Sequence, residues 1–150
     1  MSTSYVSVPL RREVTERAKE QCEYCSVPAF IYPYPFHVDH VISEKQGGLT
    51  TILNLAFACP MCNYAKGTDI SAYIIATEEI VNVYNPRKDE WKQHFALQST
   101  GSLNTLSLSG QGSIRLLKLY DPNKGQERKD YLINGYLSQA THQPSLIHIC

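Results

Sequence analysis

The chain has 150 residues, the size of one ordinary domain, and 43% of them are hydrophobic. Intrinsic disorder is excluded, because disordered chains combine low hydrophobicity with high net charge, and here the formal net charge is +0. No run approaches the ~18 apolar residues that indicate a membrane span. The N-terminal residues lack a basic segment followed by an apolar one, so the sequence predicts no signal peptide and a cytoplasmic location.

The neutral charge bears on possible partners. Nucleic-acid-binding domains often carry a basic excess, which this chain lacks. A neutral chain still binds nucleic acid if its Lys and Arg residues gather on one face. The charge therefore argues only against a long DNA footprint.

The first predicted elements are a helix and a loop. An amphipathic helix starts near Val8, with Ser7 as its N-cap and Pro9 in the first turn. Residues 26–35 contain three prolines among aromatic residues, which predicts an extended loop. The aromatic side chains of this loop either stack on bases or cover a small core.

The next elements follow the order strand, loop, strand, helix. Residues 36–42 are rich in β-formers and predict a strand, and the glycine pair 47–48 predicts a loop. The apolar residues 55–58 predict a second strand that pairs back on the first. Pro60 starts a short helix that ends near Gly67.

After residue 70 the patterns are weaker. Residues 70–83 are apolar with few breaks. The sequence then predicts a turn at 84–87, a short helix within 89–97, short strands or loops over 99–113, a helix or a strand over 114–120, a turn at 121–123 and a loosely held tail from about Gln139.

Four of the five cysteines form two Cys-x2-Cys pairs, Cys22 with Cys25 and Cys59 with Cys62. Four thiolates at this spacing can close a tetrahedral zinc site, and they leave no open position for water, so the predicted role is structural. The segment between the pairs exceeds the usual ~15–20 residues, so it must fold as a unit. A redox protein is the alternative, but a βαβ thioredoxin pattern is absent. Cys150 is predicted to be a free thiol.

An Asp-His dipeptide lies between the cysteine pairs, and an Asn follows the second pair. Asp39 and Asn63 offer hard oxygen ligands for a divalent cation, and the neutral imidazole of His40 can take a proton from water. Adjacent strand residues face opposite sides, so Asp39 and His40 share a site only where the strand bends or ends. We expect a backbone carbonyl to hold the other ring nitrogen of His40. The combination predicts a metal-assisted phosphodiester hydrolase.

Four further residues are candidates for supporting roles. The Asn54 amide can tie the long loop to the backbone. Lys66 is expected to meet a phosphate oxygen. His37 either contacts a phosphate in the same cleft, assists the zinc shell or is structural. Arg87 either extends a phosphate-contacting surface or is a solvated charge.

These residues, in this order and spacing, resemble the HNH endonucleases, in their branch with a four-cysteine zinc site. The resemblance covers roughly residues 20–70, and the segment 84–87 with Trp91 resembles the tail of small bacterial HNH proteins. It implies the α+β class, with a treble-clef-like ββα-metal core, an N-terminal helix and a small mixed C-terminal extension. The expected organisation is a nuclease core over residues 1–70 with residues 71–150 packed on it. Ser43 departs from the family, where many relatives have proline.

The resemblance also implies roles for individual residues. His40 matches the general base, Asp39 and Asn63 match the ligands of a catalytic Mg²⁺ or Mn²⁺, and Asn54 matches the central Asn that braces the loop. The four paired cysteines match the ligands of a structural Zn²⁺. The predicted function is therefore an HNH endonuclease, a monomer or homodimer, that hydrolyses duplex DNA to 5′-phosphate and 3′-hydroxyl ends. The alternative is a non-catalytic zinc-knuckle module that binds nucleic acid or protein.

Overall fold

The computed structural model describes residues 5–137. Cys150 and the tail from Gln139, for which the sequence predicts a free thiol and a loose segment, lie outside this range. The helices are α1 Val8–Arg17, α2 Pro60–Lys66, α3 Trp91–His94, α4 Leu108–Leu116 and α5 Pro122–Ile133. The strands are β1 His37–His40, β2 Leu55–Ala58, β3 Ser71–Ile74, β4 Glu79–Asn82, β5 Phe95–Leu97 and β6 Leu103–Thr105. They pair into antiparallel two-stranded sheets, β1 with β2, β3 with β4 and β5 with β6, so the predicted α+β class is confirmed.

Helix α1 begins as its sequence predicts. The Ser7 side chain accepts a hydrogen bond from the Leu10 backbone N–H, and proline occupies the first turn. Val14 is fully buried, whereas most of the charged residues face solvent. Helix α1 ends at Arg17, shortly before the first cysteine pair.

The loop before β1 is irregular, with one short 3₁₀ turn at Ala29–Ile31. Its aromatic residues differ in burial. Tyr32 packs edge-on against Phe36, with 5.6 Å between ring centroids, and so covers the core. Phe30 and Tyr34 are each 66% exposed.

The β1–β2 hairpin and α2 form the predicted strand, loop, strand, helix unit. Asp39 lies opposite Ala56, and His40 lies opposite Leu55. Strand β1 is shorter than residues 36–42, because the Ile42 N–H bonds to the Asn54 side chain and no longer to a strand partner.

The C-terminal half, of which residues 71–137 are described, differs most from the structure that the sequence predicts. The predicted strands or loops over 99–113 are wrong beyond residue 107, where α4 begins. Its glycines allow close packing, since a Cβ on Gly112 would lie 2.8 Å from Val81, and these small residues hide the helical periodicity. The predicted turn at 121–123 is the start of α5, with Asp121 as N-cap and Pro122 in the first turn.

The two halves of the chain share one core. The Trp91 indole N–H donates to the Tyr24 carbonyl oxygen over 3.1 Å. Glu23, which is fully buried, forms ion pairs with Arg17 from α1 and with Arg87 from the C-terminal half. Across residues 5–137, every helix is too short or too polar to cross a membrane.

Candidate metal centre and catalytic cleft

The four paired cysteines converge on one buried point. Their Sγ atoms all lie within 4.8 Å of one another, and the Sγ atoms of Cys25 and Cys59 are 3.7 Å apart. A tetrahedral zinc ion with Zn–S bonds of ~2.3 Å has sulfur–sulfur edges of ~3.8 Å, so the cluster fits that ion. Its chemistry and geometry therefore indicate a structural zinc site.

Burial opposes ionisation of the cysteine thiols unless a positive charge lies among them. Burial raises the pKa of Cys22, whereas hydrogen bonds from the other three thiols lower the pKa of Cys25. A divalent cation would stabilise all four sulfurs as thiolates.

Helix α5 completes the surroundings of the cluster. Its residues Glu127 and Arg128 line a small cavity of about 160 Å³ together with Cys25 and Cys59. Burial lowers the pKa of Arg128, and the charges on Cys25 and Cys62 act in the opposite direction. The C-terminal half thus places a cation near the thiolates.

An open cleft of about 680 Å³ lies at the end of β1. Asp39, His40 and Asn63 all line it, so the structure brings the three side chains proposed for chemistry to one cavity. Its volume lies within the ~300–1,000 Å³ typical of ligand sites. The strand ends at His40, which agrees with the requirement that adjacent residues share a site only at a bend or an end.

The Asp39 carboxylate is held by two buried donors. The Tyr24 hydroxyl donates to Asp39 Oδ2 over 2.7 Å, and the Lys66 ammonium lies 3.2 Å from the same oxygen. Burial raises the pKa of Asp39, although Lys66 and Tyr24 act in the opposite direction. Both donors engage Oδ2, so neither of them occupies the second carboxylate oxygen.

The His40 ring is held by a hydroxyl, which corrects the prediction of a backbone carbonyl. Nε2 of His40 lies 2.8 Å from Thr50 Oγ1. The Thr50 hydroxyl in turn donates to Glu44 Oε1 over 3.5 Å. Both partners come from the loop between β1 and β2.

Asn54 joins the two ends of that loop. Its side-chain oxygen accepts from the Ile42 N–H over 3.0 Å, and its amide donates to the carbonyl oxygens of Ile42 at 2.8 Å and Leu49 at 2.9 Å. Gly48 passes so close that a Cβ there would lie 1.7 Å from the Ile42 carbonyl oxygen. Through these contacts Asn54 binds backbone groups of the loop.

Two predicted phosphate contacts need correction. Lys66 is 2% exposed, and its ammonium is occupied by Asp39 and by the His40 carbonyl oxygen at 3.1 Å. The Arg87 side chain is 4% exposed and pairs with Glu23. Burial thus withholds both cations from a DNA backbone. His37, by contrast, is exposed and lines the cleft.

Several cleft residues were missed by sequence reasoning. Lys45 and Tyr64 are exposed and line the cleft, Tyr64 being 87% exposed. The position of Tyr64 directly after Asn63 was an available signal. No local signal marks Tyr24 or Thr50, because their contacts with Asp39 and His40 form only when distant parts of the chain come together in the fold.

Comparison with protein-family models finds one match to the segment that carries this geometry. The family model described as HNH endonuclease matches residues 22–69, which include all four clustered cysteines together with Asp39, His40 and Asn63. This segment is therefore similar to the HNH endonuclease domain, and the match supports a nuclease-type function. Neither the curated proteins nor the solved structures yielded a match to the chain.

Proposed function

We propose that this protein is a divalent-metal-dependent endonuclease that hydrolyses phosphodiester bonds in DNA. One observation carries the proposal: Asp39, His40 and Asn63 line a single cleft inside the segment that matches the HNH family model. A zinc knuckle that only binds has no need of a carboxylate, an imidazole and an amide around one cavity.

Asp39 and Asn63 would hold the catalytic cation. Carboxylate and amide oxygens are the ligands that Mg²⁺ takes in proteins, usually with several waters retained, and Mn²⁺ suits the same donors. When bound, the cation would neutralise charge on the phosphate and stabilise the leaving 3′ oxygen. The cysteine cluster would remain a separate, closed zinc site with a structural role.

His40 would act as the general base. Its ring is anchored through Nε2 to Thr50, and in the neutral imidazole the unprotonated nitrogen would take a proton from water. That water would attack phosphorus in line with the leaving oxygen, giving 5′-phosphate and 3′-hydroxyl ends. Lys66 would contribute indirectly, by holding the Asp39 carboxylate and the His40 carbonyl group.

The exposed residues around the cleft would contact duplex DNA. Lys45 and His37 would meet phosphate oxygens, and Tyr64 offers an aromatic face to the nucleic acid. The few exposed cationic side chains that line the cleft and the neutral net charge of the chain fit a short contact with DNA. The protein would act as a monomer or homodimer, and one cleft in each protomer would make one nick.

The test is nicking of a supercoiled plasmid by zinc-loaded protein with added Mg²⁺, added Mn²⁺, or Zn²⁺ alone. We expect open circles with Mg²⁺ or Mn²⁺ and no cleavage with Zn²⁺ alone. A gel shift of the plasmid without nicking under every condition would contradict the proposal and favour the binding module.

A further inference from the structure

We propose that Thr50 is a positioning residue that, together with Glu44, fixes which nitrogen of His40 accepts the proton. The inference rests on the proposed function, in which His40 is the general base. It assigns Nδ1 as the proton-accepting atom and Nε2 as the protonated atom in the resting protein.

The assignment follows from counting protons along two contacts. The Thr50 hydroxyl has one proton, and an ionised carboxylate accepts hydrogen bonds only. Glu44 Oε1 lies 3.5 Å from the Thr50 hydroxyl and, as a carboxylate oxygen, accepts only, so we infer that the hydroxyl proton turns towards Glu44 and that the Thr50 oxygen accepts from His40 Nε2, 2.8 Å away. A neutral imidazole carries one N–H, so a proton on Nε2 leaves the lone pair on Nδ1.

The loop between β1 and β2 holds the Thr50 hydroxyl against the His40 ring. Asn54 donates to the carbonyl oxygen of Leu49, the residue directly before Thr50. Gly48 lets the loop pass against the Ile42 carbonyl, and Gly47 adopts φ +92°, a left-handed conformation that favours glycine. The glycine pair and Asn54 therefore place Thr50 against a base that is ten positions earlier in the chain.

The contact between His40 Nε2 and the Thr50 hydroxyl also explains why β1 can end at His40. The backbone beyond the strand is held by Asn54, and the ring itself is held by a side chain from the far side of the loop. An imidazole anchored at one nitrogen keeps its other nitrogen in a constant direction. Such second contacts commonly set the tautomer and orientation of functional histidines.

The test compares zinc-loaded wild type with Thr50→Val, which keeps the shape but lacks the hydroxyl, and with Thr50→Ser, which restores it. Thr51→Val is the matched control, because Thr51 is exposed and its described contact is made by its backbone carbonyl. Long-range ¹H–¹⁵N spectra distinguish protonated from unprotonated ring nitrogens, and loss of signals in His40→Gln assigns them. Single-turnover nicking is measured on the same samples.

We expect the Nε2-protonated tautomer in wild type, Thr50→Ser and Thr51→Val, and a mixture or the opposite tautomer in Thr50→Val. We expect nicking by Thr50→Val to slow about tenfold with unchanged KM, in line with the loss of one hydrogen bond. If Thr50→Val does not fold, Glu44→Gln replaces it, because an amide can donate back to the hydroxyl and should mix the tautomers.

Two results would overturn the inference: Nδ1 protonated in wild type, or an unchanged tautomer in the variant that lacks the hydroxyl. An unchanged nicking rate in Thr50→Val would also count against it. Absence of nicking by wild type with every cation would instead refute the proposed nuclease, and the spectra would still decide the tautomer.

Discussion

Replacing Glu23 by Gln should destabilise the whole protein. Glu23 is fully buried, and its carboxylate faces guanidinium groups on both sides, Arg17 and Arg87. It also accepts from the Phe57 N–H over 2.7 Å, a bond that a Gln oxygen can keep. The substitution therefore removes mainly the negative charge and leaves two nearly buried cations without their counter-ion.

The expected magnitude follows from the burial of those cations. Their side chains are 10% and 4% exposed, so solvent screens them weakly. Removing one partner of a buried ion pair costs about 3–5 kcal/mol. For a chain of this size each kcal/mol lowers Tm by about 2–4 °C, so the expected decrease is about 6–20 °C.

The assay is urea and thermal unfolding of zinc-loaded protein, followed by far-UV and tryptophan signals. Glu79→Gln is the matched control, because Glu79 is exposed on β4, and its effect should stay within about 0.5 kcal/mol. A loss below about 1 kcal/mol for Glu23→Gln would refute the reasoning. Because Arg87 belongs to the C-terminal half, we also propose that residues 1–70 and the described part of the extension unfold together, so the two signals should coincide.

Three further predictions concern zinc, the two lysines and the loop. Cys62→Ser should lose the bound zinc measured by atomic absorption, whereas Cys150→Ser should retain one zinc per chain; equal zinc in both would contradict the four-cysteine site. Lys66→Met should lower the free energy of unfolding by about 3–5 kcal/mol, since it leaves Asp39 buried without its cation. Lys45→Met should leave stability unchanged and reduce the slope of DNA affinity against salt concentration by about one charge. The reverse pattern would indicate that Lys66, and not Lys45, contacts DNA. Asn54→Ala removes three hydrogen bonds to the loop and should lower the free energy of unfolding in urea by about 1–3 kcal/mol. An unchanged urea midpoint would show that these hydrogen bonds do not stabilise the loop.

The segment that matches the HNH model was predictable because its signals are local. Paired cysteines, a proline and a glycine at the two ends of α2, and a β-rich run before a glycine pair each act within a few residues of the chain. The shared cleft of Asp39, His40 and Asn63 followed once the hairpin and α2 were placed.

The roles of the cations were not predictable in this way. Lys66 is buried against strand β1, and Arg87 pairs with a glutamate that lies 64 positions earlier in the chain. Lys and Arg are almost always expected at the surface, and only the fold shows that these two have buried carboxylate partners. The same holds for Thr50, whose contact with His40 exists only after the loop has closed.

The helices of the C-terminal half were hidden for compositional reasons. Helix α4 contains serine and glycine residues that lower helix propensity, and its stability comes from packing against β3 and β4. Helix α5 begins with Asp121 and Pro122, which read equally well as a turn or as a helix start. Tertiary contacts decided both cases.

The most direct test is the single-turnover rate of plasmid nicking by zinc-loaded His40→Ala, with His94→Ala as the control. His94 bonds to Ser107 away from the cleft. With Mg²⁺ or Mn²⁺ present, we expect His40→Ala to retain zinc and its fold while the rate falls by about 10²–10⁴-fold, the usual contribution of a general base. An undiminished rate in a folded, zinc-loaded His40→Ala protein would contradict the assignment of this cleft as the catalytic site.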